Sequence, residues 1–79
     1  MTRPPDDEIA AVLTALATER GRGKTFCPSD AARRLAADWR PLMPEVRRVA
    51  ATLDSLQATR SGILVDPVTA KGPIRLGLL

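Results

Sequence analysis

The sequence predicts a mainly α-helical domain with a small β-ribbon, and three observations predict it. Apolar residues recur at helical spacing in three stretches, each opened by proline and an acid. A tight proline-containing turn, Trp39 to Met43, joins the second stretch to the third. The C-terminal part holds two short apolar runs separated by turn-forming residues, the pattern of paired strands. With 79 residues the chain makes one domain, 1–79, in which 1–5 is expected to be a flexible N-terminal tail. Apolar residues make up 44%, but twelve of them are alanine. The larger side chains suffice for one helical layer on a small sheet, not for a deep substrate cavity.

Pro4-Pro5 followed by Asp6-Asp7-Glu8 opens the first helix, with acids against the positive end of its dipole. Ile9, Val12, Leu13, Leu16 and Ala17 form its core-facing stripe, and Gly21 ends it. Gly21 to Lys24 is a short basic loop, and Thr25-Phe26 is a brief strand expected to pair with the ribbon. Cys27-Pro28-Ser29-Asp30 opens the second helix, whose narrow apolar face is Ala31, Ala32, Leu35 and Ala36. Pro44-Glu45 opens the third, with Val46, Val49, Ala50, Leu53 and Leu56 as a stripe running to about Thr59 and a break at Gly62. Ile63 to Val65 and Ile74 to Leu79 are the two ribbon strands, and Asp66 to Pro73 is the loop between them. Two helices joined by a tight turn and followed by a hairpin make a winged helix-turn-helix.

Composition narrows function mainly by exclusion. The chain has no histidine and one cysteine, which excludes Cys/His zinc sites, Ser-His-Asp and Cys-His catalysis, and a disulfide within the chain. No enzyme activity, cofactor or metal is expected. Twelve basic residues, ten of them arginine, stand against nine acids, a net +3 compatible with nucleic acid. The N-terminal stretch is polar and acidic rather than signal-like, and the longest nearly apolar run, Ile9 to Ala17, is too short for a bilayer. A cytoplasmic protein without a membrane partner is the expectation.

The strings Cys27-Pro28-Ser29, Trp39-Arg40-Pro41-Leu42-Met43-Pro44-Glu45-Val46-Arg47 and Gly72-Pro73-Ile74-Arg75-Leu76 carry a resemblance. From about Arg20 to Leu79 the chain resembles a family of small bacterial winged-helix domains of unknown function. The resemblance implies the fold and a cytoplasmic bacterial protein. It implies no substrate, cofactor or catalytic residue.

The candidate contacts for duplex DNA follow from the predicted fold. A helical wheel puts Arg47, Arg48, Ala51, Ser55 and Thr59 on the outward side of the third helix, the side that enters the major groove. Arg47 and Arg48 sit early, where arginine can pair with guanine; the alternative is a solvated face offset by Glu45 and Asp54. Arg20, Arg22 and Lys24 form a basic loop that can meet phosphate, and Lys71 and Arg75 are candidate wing contacts. Trp39 is expected to plug the space between the second and third helices, with Arg40, a further candidate DNA contact, stacked on it or supporting the turn carbonyls. Cys27 reads as a structural thiol at a helix start, since no histidine can activate it. A second reading is a homodimer or protein-interaction module, using the alanine-rich second helix or a free edge at Ile74 to Leu79.

Overall fold

A computed structural model describes residues 3–79. Helix α1 (Asp6–Arg20) starts where the prolines and acids place it: Pro5 stands at its N-cap, and the Pro5 carbonyl accepts the N–H groups of Glu8 and Ile9. It buries Ile9, Leu13, Leu16 and Ala17, and Gly21 caps its end by donating its N–H to the Ala17 carbonyl. Residues 1 and 2 of the expected tail lie outside the described residues. Next to them, Arg3 pairs with Glu45 at 2.9 Å.

Strand β1 (Thr25–Phe26) leads into α2 (Pro28–Leu35), with Pro28 at the first helical position. Half-buried Cys27 is the N-cap residue: its N–H donates to Asp30 Oδ2 at 3.2 Å, and the Ser29 hydroxyl donates to its Sγ at 3.1 Å. A short 3-10 turn (Arg40–Leu42) then feeds α3 (Met43–Thr52), which buries Val46, Val49 and Ala50.

Helix α3 is shorter than its sequence pattern suggests. It ends at Thr52, and β2 (Leu56–Arg60) occupies the stretch expected to be its last turns. Leu53 and Leu56 are spaced like neighbours on a helix face, yet Asp54 and Ser55 between them form a turn. Beyond that turn the burial alternates, with Leu56 and Ala58 inward, which is strand periodicity. Arg60 pairs with Ile63 across a two-residue hairpin to β3 (Ile63–Leu64). Ser61 and Gly62 both have positive φ, 53° and 82°, the left-handed pair that matches strand twist in such turns.

The C-terminal strand, β4 (Arg75–Leu78), completes a four-stranded antiparallel sheet of order β1-β4-β2-β3. Phe26 pairs opposite Leu76, as the sequence led one to expect. The free edge expected at Ile74 to Leu79 does not exist, because β4 lies between β1 and β2. The alanine face of α2 is not a free surface either: Ala31 and Ala32 are fully buried. Helices α1 and α3 pack on the sheet and α2 packs on both of them, and Ile9, Leu13, Leu16, Phe26, Val46, Ile74 and Leu76 are among the buried core. The result is a mixed α/β arrangement with more strand than the expected two- to three-stranded wing. No helix among the described residues is long and apolar enough to cross a membrane.

Trp39 is half-buried against the core rather than sealed within it. Trp39→Ala is therefore expected to cost about 2 kcal/mol, below the ~3–5 kcal/mol of a fully buried aromatic. A urea-unfolding midpoint that collapses completely would contradict this.

Candidate nucleic-acid interface

The two arginines expected to read a groove are both engaged within the protein. Arg47 turns to the loop before β4: its two terminal nitrogens donate to the Ala70 and Gly72 carbonyls, each at 2.8 Å. Arg60, on β2, donates to the carbonyl between them, that of Lys71. Three successive carbonyls are thus held by two guanidiniums, which fixes the 66–73 loop against α3 and the sheet. Neutral carbonyls do not cancel charge, so Arg47 and Arg60 still contribute positive potential beside Lys71.

Arg48 is neutralised. It donates to Asp6 at 2.7 and 3.0 Å and to Glu45 Oε2 at 2.8 Å, while Arg3 holds the other Glu45 oxygen. Hydrogen bonds from Arg48 hold the Asp6 and Glu45 carboxyls below their ordinary range and hold the Arg48 proton more tightly. Arg34 does the same to Glu19 through a bidentate pair at 2.7 and 2.8 Å. Ser55 lies in the turn after α3, not on a helix face, and its carbonyl accepts the Leu79 N–H.

These ion pairs carry a pH dependence whose sign is fixed. A carboxylate with a lowered folded-state pKa stabilises the fold above its ordinary pKa, and that contribution is lost as pH falls through the lowered value. Asp6, Glu19 and Glu45 therefore leave the melting temperature flat at neutral pH and depress it below about pH 4. The expected drop is modest and weakens with salt, because the pairs are exposed. Arg48→Ala should shrink it; a melting temperature constant down to about pH 2 would contradict the assignment.

Of the remaining candidates, Arg75 lies on the sheet, with the Lys24 backbone against it, while Arg40 lies over Trp39. Strand register places Thr25, Gly77 and Gln57 in one row and Arg75, Thr59 and Leu64 in the next. Alternation puts both rows on the face opposite the core residues Phe26, Leu76 and Ala58. That helix-free face carries no carboxylate in its strands. Arg75 spans to β1, donating from Nε to Thr25 Oγ1 and from a terminal nitrogen to the Thr25 carbonyl, both at 3.0 Å. Gly77 permits the close approach of the basic loop: a Cβ there would stand 3.0 Å from the Lys24 carbonyl oxygen and 3.3 Å from Thr25 Cγ2.

The Lys24 backbone thus meets the sheet at Gly77, next to the Thr25 that Arg75 binds, and Arg22 lies two residues earlier in the loop. Arg75 stands opposite Thr59; the next residue, Arg60, falls by alternation on the other face, where it reaches the Lys71 carbonyl. Arg22, Lys24 and Arg75 lie toward the β1 side of the sheet and Arg60 and Lys71 at the loop ahead of β4, and among the described residues none of the five pairs with a carboxylate. Asp66 is the acid of the adjoining loop, and its Oδ1 accepts the Val68 N–H at 2.8 Å. Arg20 at the loop's start lies 3.8 Å from Asp30. Sequence reasoning missed Arg60, read as lying past a helix end, and Arg33, whose guanidinium lies over the Trp39 ring together with that of Arg40.

A family model described as a protein of unknown function, DUF3253, matches residues 6–79. The chain belongs to the DUF3253 family. The match runs from the first residue of α1 through the C-terminal strand, so every element above is part of the family's domain. No curated protein matches the chain.

Proposed function

We propose that this DUF3253 protein is a non-enzymatic, cytoplasmic winged-helix module that binds duplex DNA through its sheet and wing loop. The observation that carries the reading is a set of cations without carboxylate partners, Lys24 and Arg75 toward the β1 side of the sheet and Arg60 and Lys71 at the loop ahead of β4. Two further features support the winged-helix assignment. Helices α2 and α3 are joined by a tight helical turn, and the loop ahead of β4 folds back to Arg47 on α3.

Contact of this kind is to phosphate, so it gives affinity and orientation with little sequence information. Arg47 then acts as a positioning residue for the wing loop, and Arg48 as a strut between α1 and α3. A single module of this size makes a small interface, so binding by one copy is weak at physiological salt. Fluorescence anisotropy with a labelled duplex should show binding at low salt that falls by ~0.9 log units per phosphate contact per decade of salt. Affinity no tighter than millimolar at low salt would overturn the proposal.

One observation favours a second reading, self-association. Strand β3 ends the sheet, and Ile63 and Leu64 on it are 69% and 67% exposed. A second copy is the partner this edge fits, because antiparallel pairing of β3 with its own mate continues the sheet's order. Sedimentation equilibrium distinguishes the readings: a dimer that Ile63→Lys dissociates supports this one.

A further inference from the structure

We infer that Arg33, Trp39 and Arg40 form an anion site that takes a phosphoryl group. Arg33 lies in the last turn of α2 and Arg40 opens the turn that follows, yet both guanidiniums lie over one indole. Each guanidinium carbon is 4.7 Å from the Trp39 ring centroid, so the two cations are no further apart than twice that distance. Packing of the half-buried ring against the core fixes it as a common plate.

The free valence of this cluster is its unusual property. Stacking uses the face of a guanidinium and leaves its in-plane N–H donors for a ligand. Among the described residues neither Arg33 nor Arg40 pairs with a carboxylate. Acids are within reach of that end of α2: Arg34, the next residue, binds Glu19 bidentately. Asp38, the exposed neighbour of Trp39, forms no ion pair with either arginine.

Two like charges held on one ring repel, and a shared anion removes that cost. Two positive charges and two planar forks match a terminal phosphoryl group of charge near −2 better than a single carboxylate. Such a group arises either on a small phosphate ligand or at the phosphorylated end of a nucleic-acid strand. With two guanidiniums over its ring, Trp39 acts here as the support for two donors rather than as a stacking surface for a base.

Trp39 is the chain's one tryptophan, so its fluorescence reports on this site directly. Titration of the full chain with inorganic phosphate is expected to give a saturable change that sodium chloride at equal ionic strength does not reproduce. Arg33→Gln and Arg40→Gln should each weaken binding by about tenfold or more. If a glutamine variant loses its native circular dichroism, Arg33→Lys and Arg40→Lys replace it, since lysine keeps the charge and loses the fork; weaker binding is again expected.

A duplex carrying 5′-phosphates, compared with its unphosphorylated twin, identifies the source. Preference for the phosphorylated duplex that the variants lose assigns a strand end, and a response to inorganic phosphate alone assigns a small ligand. No saturable response to either phosphate form, an equal response to chloride, or undiminished binding in both arginine variants would overturn the site. The cations of the sheet and its loops are read separately, with unphosphorylated duplex and anisotropy, so either proposal can fail while the other stands.

Discussion

Leu13→Ala is expected to remove most of the stability of the fold. Leu13 sits at the middle of α1, fully buried, where the helix packs on α2, α3 and the sheet. Removing a leucine side chain from such a site costs the lost transfer free energy and leaves a cavity, together ~3–5 kcal/mol. A domain of this size holds only about 5 kcal/mol in total, so most of its stability goes with one side chain. Urea unfolding followed by circular dichroism checks this. A midpoint close to that of the wild type would mean that α1 is not held as described.

The second large effect concerns binding. Replacing Arg22, Lys24, Lys71 and Arg75 together with alanine should nearly abolish duplex binding and flatten its salt dependence by up to ~3.6 log units per decade. The fold should survive, because three of the four are not bonded to the core and Arg75 bonds only Thr25. Arg47→Ala acts differently: it releases the Ala70 and Gly72 carbonyls and loosens the 66–73 loop, so affinity falls through lost order as well as lost charge. Arg48→Ala should leave binding almost unchanged, since Asp6 and Glu45 already neutralise that cation. Equal losses from Arg48→Ala and from the fourfold variant would place the contact on α3.

Local signals made most of the fold legible in the sequence. Proline and acid at each helix start, Gly21 at the first helix end, and Phe26 opposite the C-terminal strand all follow from backbone chemistry at single positions. The end of α3 was not legible, because Leu53 and Leu56 satisfy helical spacing while Asp54 and Ser55 reverse the chain. Strand order was not legible either. A run such as Arg75 to Leu78 carries no mark saying whether one or both of its edges are paired.

The candidate site shows the same division. Arg22, Lys24, Lys71 and Arg75 could be picked out as cations in loops and strands, and the structure adds Arg60, which holds the Lys71 carbonyl. That Arg48 is spent on Asp6, forty-two residues away, or Arg47 on two loop carbonyls, is a long-range consequence of packing. Helical periodicity places a side chain on a face; it does not say what already covers that face.

The claim at the centre of this account is that the sheet and wing, rather than the outward face of α3, meet the nucleic acid. Amide chemical-shift mapping during titration with an unphosphorylated duplex at low salt tests it most directly. The largest shifts are expected at residues 22–26, 57–60 and 71–77, with Arg48 to Ser55 nearly silent. Shifts concentrated on Arg47 to Ser55, with the sheet residues unmoved, would contradict it.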